Sequence, residues 1–127
     1  MTTDHADLIA VLEGAEGPDP KITKMIGEAL GWKFLLPSMT WLAPDGEGLQ
    51  SEHSALPDFS ASLDLAVQNV PEGWGWLILT RKEKSEATVF KYGSRQDEGH
   101  TTMAATPCLA LWAAIFRARM AEGKADD

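Results

Sequence analysis

A chain of 127 residues with 44% hydrophobic and 24% charged content suits one domain with a conventional core and argues against wholesale disorder. A formal net charge of −8 argues against non-specific nucleic-acid binding, which needs clustered Lys and Arg to neutralise phosphates. The one cysteine, Cys108, excludes an internal disulfide and a multi-cysteine metal site, and it fits a reduced compartment.

In chain order, Asp4–Leu12 reads as a short helix. Thr3 or Asp4 can cap it, Leu8, Ile9 and Leu12 share a face, and Gly14 can end it. A second start follows: Asp19 suits the N-cap and Pro20 the first helical position, where a missing N–H costs nothing. Ile22, Met25, Ile26, Ala29 and Leu30 then repeat at helical spacing, and Gly31 can supply the left-handed residue that closes the helix. Trp32–Leu36 and Thr40–Leu42 are short apolar runs around Pro37-Ser38, suited to a small hairpin or to edge strands. Residues Pro44–Pro57 show no periodicity and read as a long polar connection, a kind of loop more often functional or disordered than decorative.

A third helix begins with Ser60 as cap, with Leu63, Ala66, Val67 and Val70 on one stripe, and Pro71-Glu72-Gly73 breaks it. Trp74–Thr80 follows with apolar side chains on both alternating sets, which predicts a strand covered on both faces. The charged turn Arg81–Glu86 leads into a partner strand, Ala87–Tyr92. Tyr92–Ala105 reads as a second irregular connection. Thr106 then caps a final helix with Pro107 at its first position and Leu109, Trp112, Ala113, Phe116 and Met120 on its main stripe, widened by Leu111 and Ile115. Arg117 and Arg119 suit its C-terminal end. Residues 1–121 are expected to form one globular domain, with 122–127 as a frayed tail. Strands joined by a tight turn are antiparallel. The expected class is therefore α/β (α+β), with helices layered on a small, mostly antiparallel sheet.

Reactive constellations are sparse. There is no GxGxxG, no GxxxxGK[ST], no GxSxG and no HExxH in the chain. His5, His53 and His100 each lie near acids, yet nothing in their spacing makes them converge on a metal. Cys108 opens an apolar helix, where packing is the ordinary role of a small residue. With His100 and Asp97 it forms the least implausible catalytic centre, and no catalytic residue, metal or cofactor is assigned. Asp45, Glu47, Glu52 and Asp58 make the segment Ala43–Asp58 acidic, while Arg81, Lys82 and Lys84 crowd one turn.

Five tryptophans are many for this length, and tryptophan is enriched at interfaces and stacks on flat ligands. Trp41, beside the long loop, and Trp74, at the mouth of a strand, are the candidates for exposure. A nucleotide-type ligand would stack on Trp41 or Trp74 and meet Arg81, Lys82, Lys84 or Arg95 with its phosphates. Core packing is the simpler role for each ring.

Three stretches, DLIAVLEGAEGPDPKITKMIGEALGW, FSASLDLAVQNVPEGWGWLIL and ATPCLALWAAIFRAR, occur in an order that resembles small bacteriophage and prophage proteins of the phage ABA sandwich domain family. The resemblance spans most of the chain. It implies a three-layer α-β-α sandwich in a phage-encoded protein and carries over no activity or catalytic residues. The expected function is a non-enzymatic accessory protein that binds a host or phage protein in the cytoplasm of a bacterial cell. Interference with host defence, a small-molecule ligand, a structural place in the virion and a homo-oligomer stay open. No signal peptide or membrane span is expected, because the apolar runs fall short of the roughly 18 residues a span takes.

Overall fold

The structure, a computed structural model, describes residues 5–36, 38–43, 52–53, 55–91 and 99–126, with the backbone alone at 52–53 and 121–126. Helix α1 covers His5–Gly14, so Gly14 is its last residue, and the expected caps Thr3 and Asp4 lie outside the described residues. Helix α2, Pro20–Leu30, starts as its sequence requires. The Asp19 carboxylate accepts from the Lys21 N–H at 2.7 Å, Pro20 follows, and Gly31 closes the helix with φ 107°, a left-handed conformation suited to glycine.

Strands β1 (Lys33–Leu35) and β2 (Thr40–Leu42) form a hairpin, one of the two arrangements their sequence suits, with Phe34 opposite Trp41. A short strand β3, Glu52–His53, adds to β2 inside the segment read as aperiodic. Two residues carry too little pattern to be seen in advance. Helix α3 covers Leu63–Gln68, and its cap is Ser62, which accepts from the Leu65 N–H at 3.3 Å. Ser60, expected in that role, is instead a buried tie to α2.

The second sheet is a meander of β4 (Trp74–Thr80), β5 (Ser85–Lys91) and β6 (His100–Ala104), in that order. Strand β6 corrects the reading of Tyr92–Ala105 as wholly irregular. Helix α4, Pro107–Asp126, is capped by Thr106, whose hydroxyl accepts from the Leu109 N–H at 3.1 Å. The tail expected to fray carries side chains outside the described residues.

Four helices and two small antiparallel sheets make this a mixed α/β (α+β) fold, compatible with a helix–sheet–helix sandwich. Its centre is α4, which contacts all three strands of the second sheet as well as α1 and α3. Every residue from Leu109 to Phe116 is fully buried. No stripe separates wet from dry there, so the helix is apolar all round. Trp112 anchors it: the ring stacks on Phe116 at 5.8 Å, meets Phe59 edge-on at 5.7 Å, and donates its indole N–H to the Phe59 carbonyl at 2.7 Å.

The expectation that β4 is covered on both faces is corrected. Opposed residues of an antiparallel sheet share a face. Trp76, Val89 and His100 therefore lie on one side, with Ile78, Ala87 and Thr102, while Leu77, Thr88 and Thr101 lie on the other, with Leu79, Glu86 and Met103. The first side meets α4. Val89 and Ala87 are fully buried, and the Thr102 hydroxyl donates to the Ala110 carbonyl at 2.6 Å. On the second side Leu77, Leu79 and Met103 are 54%, 44% and 40% exposed.

Candidate functional site

The apolar outer face of the second sheet follows from its local register. The two-residue turn Lys82-Glu83, closed by the Arg81 N–H donating to the Lys84 carbonyl at 2.9 Å, sets β4 against β5 so that Leu77 and Leu79 project outward together. Met103, opposite Glu86 on β6, extends the same face. Glu86, paired with Arg81, stands between Leu79 and Met103, while Thr88 and Thr101 continue the row of Leu77 with their hydroxyls 2.9 Å apart. Trp76 points to the α4 side but sits on the outermost strand, and it stays 42% exposed. A cluster of large apolar side chains held in the open by a rigid sheet is a surface suited to another macromolecule.

The residues singled out from the sequence are dispersed. Trp41 lies on β2, tilted against Phe34 at 5.1 Å, and lines an open cleft of about 520 Å³ with Pro18, Asp19, Thr23 and Asp58. Trp74 begins β4, with its ring 6.0 Å from His100. Arg81, Lys82 and Lys84 are exposed in the turn at the far end of the same strand, and Arg81 pairs with Glu86 at 3.7 Å. At about 3.3 Å per residue, Trp74 and that turn are roughly 20 Å apart. One nucleotide stacked on Trp74 would not reach the basic turn. Trp41 is on the other sheet, in a wall shared with two carboxylates. Arg95 lies outside the described residues, as do Asp97 and Glu98 and the acids of residues 44–51.

The ties behind Trp41 are structural. The Thr23 and Ser60 hydroxyls are 2.8 Å apart, the Asp19 N–H donates to Ser60 Oγ at 3.1 Å, and the Ser60 N–H donates to Thr23 Oγ1 at 3.1 Å. They pin the start of α2 to the segment preceding α3. A second cleft, of about 490 Å³, runs between α1, His100 and α4, crossed by the Arg117–Glu13 ion pair at 3.2 Å.

Cys108 is poorly placed as a nucleophile. It is buried, its thiol donates to the Phe59 carbonyl at 3.3 Å, and desolvation pushes its pKa up from 9.0 to about 11, against the smaller opposing effect of the hydrogen bond with Trp112. The thiolate that chemistry needs is thereby disfavoured. Among the described residues no group of three or more His, Cys, Asp and Glu could hold a metal ion, and no helix is long and apolar enough to cross a membrane.

The site that sequence reasoning missed is the outer face itself. From the sequence Leu77 and Leu79 read as part of a covered layer, because an apolar strand and an apolar surface look alike there. No protein-family model matches the chain, and neither a curated protein nor a solved structure does.

Proposed function

We propose that the protein is a non-enzymatic binding protein that engages a protein partner through the uncovered face of the β4–β5–β6 sheet. One observation carries the reading: Leu77 and Leu79 stand exposed side by side, with Met103 exposed two strands away across Glu86, on a sheet whose other face is anchored to the core. The burial of Cys108 is consistent with it. The phage-like stretches of sequence support a more specific version, an accessory factor of a phage or prophage acting on a host or phage protein inside a bacterium, with host defence among the targets.

The test is affinity purification from bacterial lysate, with the wild-type chain beside the double variant Leu77→Lys/Leu79→Lys. The reading expects a protein that co-purifies with the wild type, binds it again as a purified component, and loses at least tenfold in affinity for the variant. Equal binding to both, or no specific binding to either, overturns it. A second reading, a small-molecule ligand, is favoured by the position of Trp41 on an open cleft. The carboxylates of Asp19 and Asp58 outnumber the one cation of the same wall, Lys24, which suits a cationic or neutral group better than a phosphate. A thermal-shift screen separates the two, because a bound ligand raises the melting temperature by mass action.

A further inference from the structure

We infer that β4 pairs antiparallel with β4 of a second copy of this chain, with Leu77 on the twofold axis, joining two three-stranded sheets into one. Strand β4 has one neighbour, β5, among the described residues, and it is seven residues long and apolar. Such an edge is a template for another strand unless something blocks it. No proline or inward charge interrupts Trp74–Thr80.

The backbone alternation selects the register. Because Arg81 and Lys84 form a bonded pair, Leu79, Leu77 and Gly75 turn their backbone groups toward β5. Trp76, Ile78 and Thr80 then present N–H and C=O to the open edge. Trp74 presents its carbonyl there, since its N–H already donates to Pro71 at 3.0 Å. An antiparallel self-pairing must match outward-facing residues with one another. With Leu77 on the axis, Trp76 faces Ile78 of the second copy and Trp74 faces Thr80, so the whole strand overlaps.

Side chains agree with that register. Half-exposed Trp76 gains an apolar neighbour in Ile78. The Pro71–Trp74 turn, carrying exposed Glu72, is brought alongside the turn with Lys82, Glu83 and Lys84 of the other copy, where the two lysines outnumber the one acid and Arg81 is paired with Glu86 of its own chain, so that opposite net charges meet at both ends of the seam. The two α4 layers then lie on one side, and the outer faces merge into one surface with the leucines of both β4 strands at its centre. This deepens the binding reading by supplying its assembled form. Partner capture can fail while self-pairing holds, because the two are measured separately.

The seam is narrow beside the roughly 800 Å² per partner of a stable interface, so dissociation in the micromolar range is expected. Sedimentation equilibrium of the wild type up to about 100 µM should therefore show a reversible dimer. Trp76→Pro removes an outward N–H that an edge strand does not need, and it should weaken the dimer at least tenfold. The register is tested by cysteine placement. Leu77→Cys puts two thiols on a non-hydrogen-bonded pair, with Cα atoms about 4.5 Å apart, and it should form an interchain disulfide under mild oxidation. Leu79→Cys should not, since its copies stand about 14 Å apart. Buried Cys108 takes no part. A wild type that stays monomeric, or equal cross-linking at both positions, overturns the inference.

Discussion

Two apolar runs of similar composition, Leu111–Phe116 in α4 and Trp74–Leu79 in β4, end in opposite surroundings. The first is fully buried at every residue, while Trp76, Leu77 and Leu79 of the second are more than two-fifths exposed. Hydrophobicity alone does not account for the contrast; position in the topology does. Helix α4 is closed in by a sheet and two helices. Among the described residues strand β4 is outermost in its sheet, and Leu77 and Leu79 on its outer face are exposed. Apolar residues in the first place hold the fold together. In the second they are free for other use.

The largest effect expected from this contrast is at Trp112. Replacing it with Ala removes a fully buried ring, its stack on Phe116 and its hydrogen bond to Phe59. The loss should be about 4 kcal/mol, within the range for large-to-small changes in cores. Urea unfolding followed by far-UV circular dichroism measures it. A loss below about 1 kcal/mol would mean that α4 is not the centre of the core.

Next in size is a pH effect at the same helix. Burial raises the Cys108 pKa from 9.0 to about 11 in the folded state. Between those values the unfolded chain has released the thiol proton and the folded chain still holds it, so stability must fall as pH rises. The slope from this group approaches 1.4 kcal/mol per pH unit, amounting to roughly 2–3 kcal/mol over the window. Cys108→Ala should flatten the stability profile between pH 9 and 11 relative to the wild type. An unchanged slope would place the thiol in contact with water.

Ser60→Ala comes third. It removes the hydroxyl shared by the Asp19 backbone and Thr23 and leaves buried polar groups without that partner, at a cost of about 1–2 kcal/mol. Its signature should be local, with faster amide exchange at the start of α2 than in α4. Uniform acceleration would mean that the tie supports the whole core.

Legibility in the sequence followed the same division. Start signals were plain where a backbone end needs a particular side chain, as at Asp19-Pro20 and Thr106-Pro107. The β4–β5 hairpin was legible from its charged turn. Strand β6 was not, since His100–Ala104 is short and mixes one histidine and two threonines with its apolar residues. Its register against β5, which buries Thr102 and Ala104, comes from tertiary pairing. Ser60 could not be told from Ser62 as a cap, because both precede the helix and only packing assigns one to the interior. The outer face was hidden for a related reason. Alternation shows that both sets of β4 side chains are apolar, and it cannot show how many faces the remaining chain can reach.

The smallest expected effect on stability sharpens the comparison most. Leu79→Thr replaces a large apolar residue in mid-strand, a change that in a two-sided core would cost several kcal/mol. On the open face Leu79 is only partly covered, and threonine suits a strand, so the change should stay within about 1 kcal/mol. The same substitution type at Val89, fully buried on the α4 side of the neighbouring strand, should cost about 2 kcal/mol, because a hydroxyl enters an apolar layer. Chemical denaturation of the two variants in parallel gives the difference directly. Equal losses would mean that the outer face is packed in solution, with part of the chain or a second copy held against it. Unequal losses leave the leucines of β4 with no structural debt to the monomer, and their conversion to threonine should then register in association.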